Sequence, residues 1–281
     1  MMKRVMQRCL WLLLLGTAWS MAAEPLRVVT AGASVTAIVQ ELGLAEQVVG
    51  IDSTSVPLLE ERGLPNVGYQ RQLSAEGVLS LKPDVLLGTE EMGPPPVLAQ
   101  LREAGVDVVV LSASPSLDTL YSNIAAVGER FGHGAQAAEL TQRIQADIAA
   151  LPAPSEPASP AIFVLTHSAN GMLVAGEGTV GDSLIRLGGM SNPAADSFAQ
   201  YRVLSAESLL SLAPQWILTT EKGLDMVGGV DGLLSQQPAL AATPAGLAKQ
   251  VVAIDDSLLV GGFSPQIAPA LRELRETAAG Q

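Results

Sequence analysis

Tyr69 and Arg71 stand two apart in the stretch Val67-Gly-Tyr-Gln-Arg-Gln-Leu-Ser74. Only three of 281 residues are tyrosine, and this one lies in a polar loop beside a fixed positive charge. A protonated phenol, with a free pKa near 10, is a poor metal ligand. As phenolate it is a hard anionic oxygen suited to ferric iron, and a nearby guanidinium favours that form. If residues 69–71 are extended, side chains two apart project to the same side. Arg71 then either lowers the phenol's pKa or holds an anionic group of a ligand. Taken alone, Tyr69 reads equally as a half-buried loop aromatic with its hydroxyl hydrogen-bonded.

His167 is the second candidate. It ends the strand-like run Ala161-Ile-Phe-Val-Leu-Thr166 and opens the loop Ser168-Ala-Asn-Gly171. Ligands of open parallel sheets gather outside the carboxyl ends of the strands, so Tyr69 and His167 can face one cleft from two halves of the chain. A hydrogen-bonded surface histidine is the bland alternative. Arg202 and Lys222 supply cations near the mouth of the second half, and Met172, Met190 and Met226 are candidates for an apolar pocket wall. His133, between two glycines, reads as structural. Two histidines in all are too few for a dedicated zinc or manganese carrier, whose sites need several nitrogen or carboxylate ligands.

Other chemistries find no support. Gly176-Glu-Gly-Thr-Val-Gly181-Asp182 lacks the Gly-Lys-Ser/Thr ending of a phosphate-cradling loop and reads as a turn entering a helix. No Gly-x-Ser-x-Gly or His-Glu-x-x-His occurs, and no nucleophile–base spacing points to an enzyme.

The elements that must position these residues are legible as short apolar runs. They are Leu26–Val29, Val48–Ile51, Val85–Leu87, Val108–Leu111, Ile162–Leu165, Met172–Val174, Trp216–Leu218 and Val251–Ile254. Most are unbroken rather than alternating, as strands covered on both faces are. Helical patterns such as Ser34–Leu42 and Pro95–Ala104 lie between them, which predicts an α/β fold with mainly parallel sheets. From Leu117 the apolar positions recur at helical spacing through Phe131, resume at Leu140, Ile144 and Ile148, and stop at a Pro-rich segment, 152–160. The expected organisation is a first lobe over residues 24–113, one long connecting helix over 114–151, kinked at its glycines, and a second lobe over 152–281.

The halves share a segment. Leu73–Leu87 aligns without gaps on Leu204–Leu218 with nine of fifteen positions identical. In each copy a serine caps a short helix, a proline ends it and an apolar strand follows. Glu76 and Glu207 fall in the first turn of each helix, where a negative charge suits the helix dipole.

Lys3, Arg4 and Arg8, an apolar run from Leu10 to Trp19 and the small residues before position 24 have the layout of a secretory leader, too short to span a bilayer. Cleavage after Ala22 or Ala23 removes the single Cys9, and with it any disulfide or thiolate site. It also takes 16 Lys and Arg down to 13 against 28 Asp and Glu, so the net charge goes from −12 to −15. Such a surface repels nucleic acid and anionic lipid.

Taken together, export, two α/β lobes, a connecting helix and the paired Ser-x-Glu-x-x-x-x-Leu-x-Pro segment resemble the substrate-binding proteins of ABC importers for iron complexes and cobalamin. Gly68-Tyr-Gln-Arg-Gln-Leu-Ser74 resembles the periplasmic haem-binding branch of that family. The resemblance covers almost the whole exported chain. It implies a monomer that captures ferric haem between the lobes with little hinge motion. Tyr69 is then an iron ligand, since tyrosinate is a known axial ligand of haem, and Arg71, Arg202 and Lys222 are candidate propionate partners. His167 either ligates the opposite face of the same iron, binds a second stacked haem, or stands near the propionates without ligating. Glu76 and Glu207 meet basic residues of an inner-membrane permease. A ferric siderophore or cobalamin is the alternative cargo of the same fold.

Overall fold

A computed structural model describes residues 24–154, 157–166 and 171–279; the expected leader and His167 lie outside them. Among the described residues, nine strands form two sheets. The first joins β1 (Val28–Ala31), β2 (Val48–Ile51), β3 (Val85–Thr89) and β4 (Asp107–Leu111) in the order β2-β1-β3-β4, all parallel. The second joins β5 (Ala161–Leu165), β6 (Leu173–Ala175), β7 (Tyr201–Arg202), β8 (Trp216–Thr220) and β9 (Val251–Ile254) in the order β7-β6-β5-β8-β9. Here β5, β8 and β9 are parallel, while β6 and β7 run antiparallel at one edge.

Twelve α-helices among the described residues accompany the sheets. In the first half they are α1 (Ala33–Glu41), α2 (Ala75–Ser80), α3 (Pro95–Glu103), α4 (Leu117–Arg130) and α5 (Gly134–Ala149). The second half adds α6 (Val180–Leu187), α7 (Ala206–Ser211), α8 (Glu221–Met226), α9 (Gly229–Gln236), α10 (Pro238–Ala241), α11 (Pro244–Ala248) and α12 (Ile267–Ala279).

Unbroken apolar strands are explained by what lies on each face. In the first sheet Val28, Val85 and Leu87 face a central cluster, while Val29 and Leu86 face a separate outer one. The second sheet repeats this, with Ala161, Phe163 and Leu218 inward and Ile162, Val164 and Ile217 outward. The inward faces of both sheets belong to one continuous core that also takes in Leu120, Ile124, Ile144 and Leu271. A shared core of this kind resists independent movement of the lobes, because packed interiors are not continuously deformable.

The helical segment between the sheets is not one long helix. It breaks at residues 131–133 into α4 and α5, with Gly132 at φ +72°. A Cβ on Gly128 would come within 2.4 Å of the Ala137 Cβ, yet nine residues of continuous helix would hold them about 13 Å apart. The chain therefore folds back and packs α5 against α4. Helix α4 also packs on α1, while α5, about 24 Å long, packs on both α4 and α12 and so ties the first half of the chain to the last helix.

The repeated segment is duplicated in backbone as well as sequence. Ser74 accepts from Gly77 N, and Ser205 from Ser208 N, each at 3.1 Å. Lys82 and Ala213, the residues before the two prolines, both take φ near +45° (48° and 42°).

A direct bond crosses between the lobes at the start of α1. Ser34 donates its backbone N–H to the Val260 carbonyl at 3.3 Å and its hydroxyl to the Gly261 carbonyl at 2.8 Å. Gly261 has φ +83°, and a Cβ there would sit 2.8 Å from Ser34 Oγ and 3.3 Å from Thr89 Cγ2. Gly261→Ala is therefore expected to cost about 1–3 kcal/mol, measured by urea unfolding.

Candidate functional site

Tyr69 enters a cleft between the lobes. The cleft, about 460 Å³, is walled on one side by Ser53, Thr54, Pro57 and Tyr69 and on the other by Glu221, Lys222, Asp256 and Val260. Its floor lies outside the carboxyl ends of β2, β8 and β9, the position expected of a ligand site in such sheets, and its size suits a small molecule.

The Tyr69 loop is built on a buried carboxylate. Asp52, fully buried, accepts from Gly32 N at 3.0 Å, Thr54 N at 3.1 Å and Thr54 Oγ1 at 2.7 Å, and also from Ser55 Oγ. That fixes the turn after β2, from which Ser53 N donates to the Gly68 carbonyl at 2.8 Å, one residue before the tyrosine. Gly32 is also where the buried Gln70 amide packs: a Cβ there would lie 2.7 Å from Gln70 Oε1. Tyr69 itself is extended, with φ −79° and ψ 136°, and is 41% exposed.

Residues 69–71 are not extended throughout, as the same-side argument required. Gln70–Gln72 form a single 3-10 turn closed by Gln72 N on the Tyr69 carbonyl at 2.7 Å. Arg71 is not among the residues lining the cleft, but it stays within electrostatic reach of Tyr69. Partial burial works against the guanidinium's charge, but the hydrogen bond and charge of Glu91 outweigh it, and Tyr69 adds to the rise in its pKa.

Glu91 had no signal beyond its place just past a strand's carboxyl end. Its carboxylate bonds Arg71 Nη2 at 2.7 Å and Gln70 Nε2 at 3.2 Å. Tyr201, in the second lobe, was likewise missed because β7 is only two residues long. Burial pushes its phenol pKa up; Gly181 N and the Thr179 side chain pull it back, and the Glu91 charge adds to the rise.

The remaining candidates separate. Lys222 lines the cleft opposite Tyr69, and its backbone N–H donates to Asp256 at 3.0 Å. Neither Lys222 nor Arg202 forms an ion pair with a described residue. Arg202 is exposed on the edge strand β7, its guanidinium 5.8 Å from the Phe198 ring centre, and is not part of the cleft wall. His167 falls outside the described residues; the strand leading to it ends at Leu165. Met172 and Met190 are buried in the cores and Met226 is exposed, and none of the three is among the residues lining this cleft. His133 stands just before α5 without a side-chain capping bond, its Nδ1 3.0 Å from the Leu42 carbonyl. Thr179 caps α6 by accepting from Asp182 N, so the Gly176–Asp182 stretch is a helix entry. Glu76 and Glu207 are exposed in the first turns of α2 and α7.

The wall facing Tyr69 is acidic. Burial and the charges of Asp255 and Asp256, with Asp225 and Glu273 behind them, raise the pKa of Glu221. Anionic arms of a ligand are therefore better received on the Arg71 side than against Glu221.

Residues 28–258 match the model of a family described as periplasmic binding protein. The chain belongs to the periplasmic binding protein family. Its members are substrate-binding proteins and not enzymes. Among solved structures, this periplasmic binding protein is similar to a periplasmic haem-binding protein of Roseiflexus sp. RS-1, with 37% identity, TM-score 0.82, and coverage of 90% of this chain and 98% of that one. The periplasmic haem-binding protein HutB of Vibrio cholerae gives 38% identity, TM-score 0.83, and coverage of 89% and 98%. A cobalamin-binding protein of Halobacterium salinarum is 29% identical over 85% of this chain, which spans 66% of that relative's length.

Proposed function

We propose that this periplasmic binding protein captures ferric haem in the cleft between its lobes and delivers it to an ABC importer of the inner membrane. The observation that carries the reading is Tyr69 on one wall of an inter-lobe cleft with Lys222 on the other. Tyr69 supplies a phenolate to the iron, with Arg71 beside it to favour that charge or to hold a propionate. Lys222, on the opposite wall, is the further propionate cation, and His167 meets the cargo from the second lobe. Similarity to two haem-binding proteins over nine-tenths of the chain supports this cargo.

Residues 1–23 direct export and are removed, leaving a soluble monomer whose link to the membrane is the permease. Glu76 and Glu207, one on each lobe, are the contacts to it. Likeness to a cobalamin-binding protein keeps one second reading, cobalamin in the same cleft. Titration of the exported chain with hemin and, separately, with cobalamin tests both. The expected result is saturable hemin binding with a shifted Soret band and no binding of cobalamin. Cobalamin binding without hemin binding overturns the haem reading.

A further inference from the structure

Glu91 holds the two residues that follow the tyrosine. One carboxylate oxygen accepts from Arg71 Nη2 at 2.7 Å, the other from Gln70 Nε2 at 3.2 Å. It is kept in place by its surroundings: Gly93 N donates to the Gln70 carbonyl at 2.9 Å and Leu73 N to the Gly93 carbonyl at 2.8 Å, so the loops of Glu91 and Tyr69 are stitched together. The two partners differ in exposure. The Glu91 side chain is 30% exposed and that of Arg71 is 55% exposed, so the guanidinium keeps an open side.

A guanidinium carries five N–H donors but a single positive charge, and Glu91 engages only its Nη2. A ligand carboxylate arriving on the open side of Arg71 comes to share one positive charge with Glu91, and the two carboxylates weaken each other's hold on it. We infer that Glu91 is an internal competitor for the charge of Arg71, pairing the guanidinium throughout and weakening its hold on the carboxylate arm of haem. This rests on the haem reading. In a carrier, such sharing eases departure of the propionate, and release leaves Arg71 still paired with Glu91. Glu91 acts through Arg71 and is a positioning residue for the cargo, not a ligand of it.

Transfer of hemin from the full chain to excess apomyoglobin measures release, with hemin dimethyl ester as the comparison because its esters carry no charge. Glu91→Gln keeps an oxygen for Arg71 but removes the competing charge. It is expected to slow hemin release about fivefold, the scale of one partly exposed ion pair, while leaving release of the ester unchanged. In an Arg71→Gln background the same change is expected to have no further effect on hemin release. Unchanged or faster hemin release in Glu91→Gln overturns the inference. Equal slowing of hemin and its ester also overturns it, since Glu91 would then act only by holding Gln70. A wild-type chain that takes up no hemin overturns the haem reading itself, which separates that failure from one of Glu91 alone.

Discussion

Tyr69→Phe is expected to abolish the ferric tyrosinate spectrum of the hemin complex and to weaken hemin binding by at least about a hundredfold. The phenyl ring keeps the packing of a residue that is already 41% exposed, so the change removes little but the oxygen. Altering groups that merely support a metal ligand costs about 10–100-fold in affinity, and losing a ligand should cost no less. The support around Tyr69 stays in place, because Ser53 N bonds the Gly68 carbonyl and Gln72 N bonds the Tyr69 carbonyl, neither through the tyrosine side chain. Visible absorption and hemin affinity of the variant check this. Tyr121→Phe, whose ring lies between α4 and α5 rather than in the cleft, is the control and should leave the spectrum as in the wild type. An unchanged spectrum in Tyr69→Phe would remove Tyr69 from the iron.

The strands were legible because burial on both faces leaves an unbroken apolar run. Val48–Ile51 matches β2 from end to end, whereas β7 was invisible because two residues, Tyr201 and Arg202, carry no period at all. The glycines at 132 and 134 marked a break in the helical segment, but not that the chain folds back there. The same apolar spacing runs through both helices, and only the contact of Gly128 with Ala137 separates a kink from a reversal. At the site, the motif around Tyr69 was readable, while its supports were not. Asp52 sits in Asp-Ser-Thr-Ser, a composition that reads as an exposed loop, yet it is fully buried among four donors. Glu91 lies 20 residues beyond Arg71 in a pair of glutamates that reads as solvated charge. Both gain their roles from parallel strands that bring distant carboxyl ends together.

Glu76→Ala and Glu207→Ala are each expected to lower haem uptake by the importer about tenfold, and the double variant by more, with hemin affinity unchanged. Both glutamates are exposed in first turns whose capping is already done by Ser74 and Ser205. What they add to the helices through the dipole is about 0.3–1 kcal/mol each, too little to endanger a fold with a continuous core. A segment that recurs once in each lobe with the same cap and the same left-handed residue before proline presents two like charges in like settings. Two such points fit a partner with two related basic patches, as a permease of paired subunits would offer. Rim charges act mainly on the rate of encounter and its salt dependence. Uptake into vesicles carrying the permease should accordingly fall with ionic strength in the wild type and respond less to salt in the double variant. Charge reversal to Lys should cost more than Ala at either site. A fall in hemin affinity, or uptake that ignores both substitutions, would return the glutamates to a purely helical role.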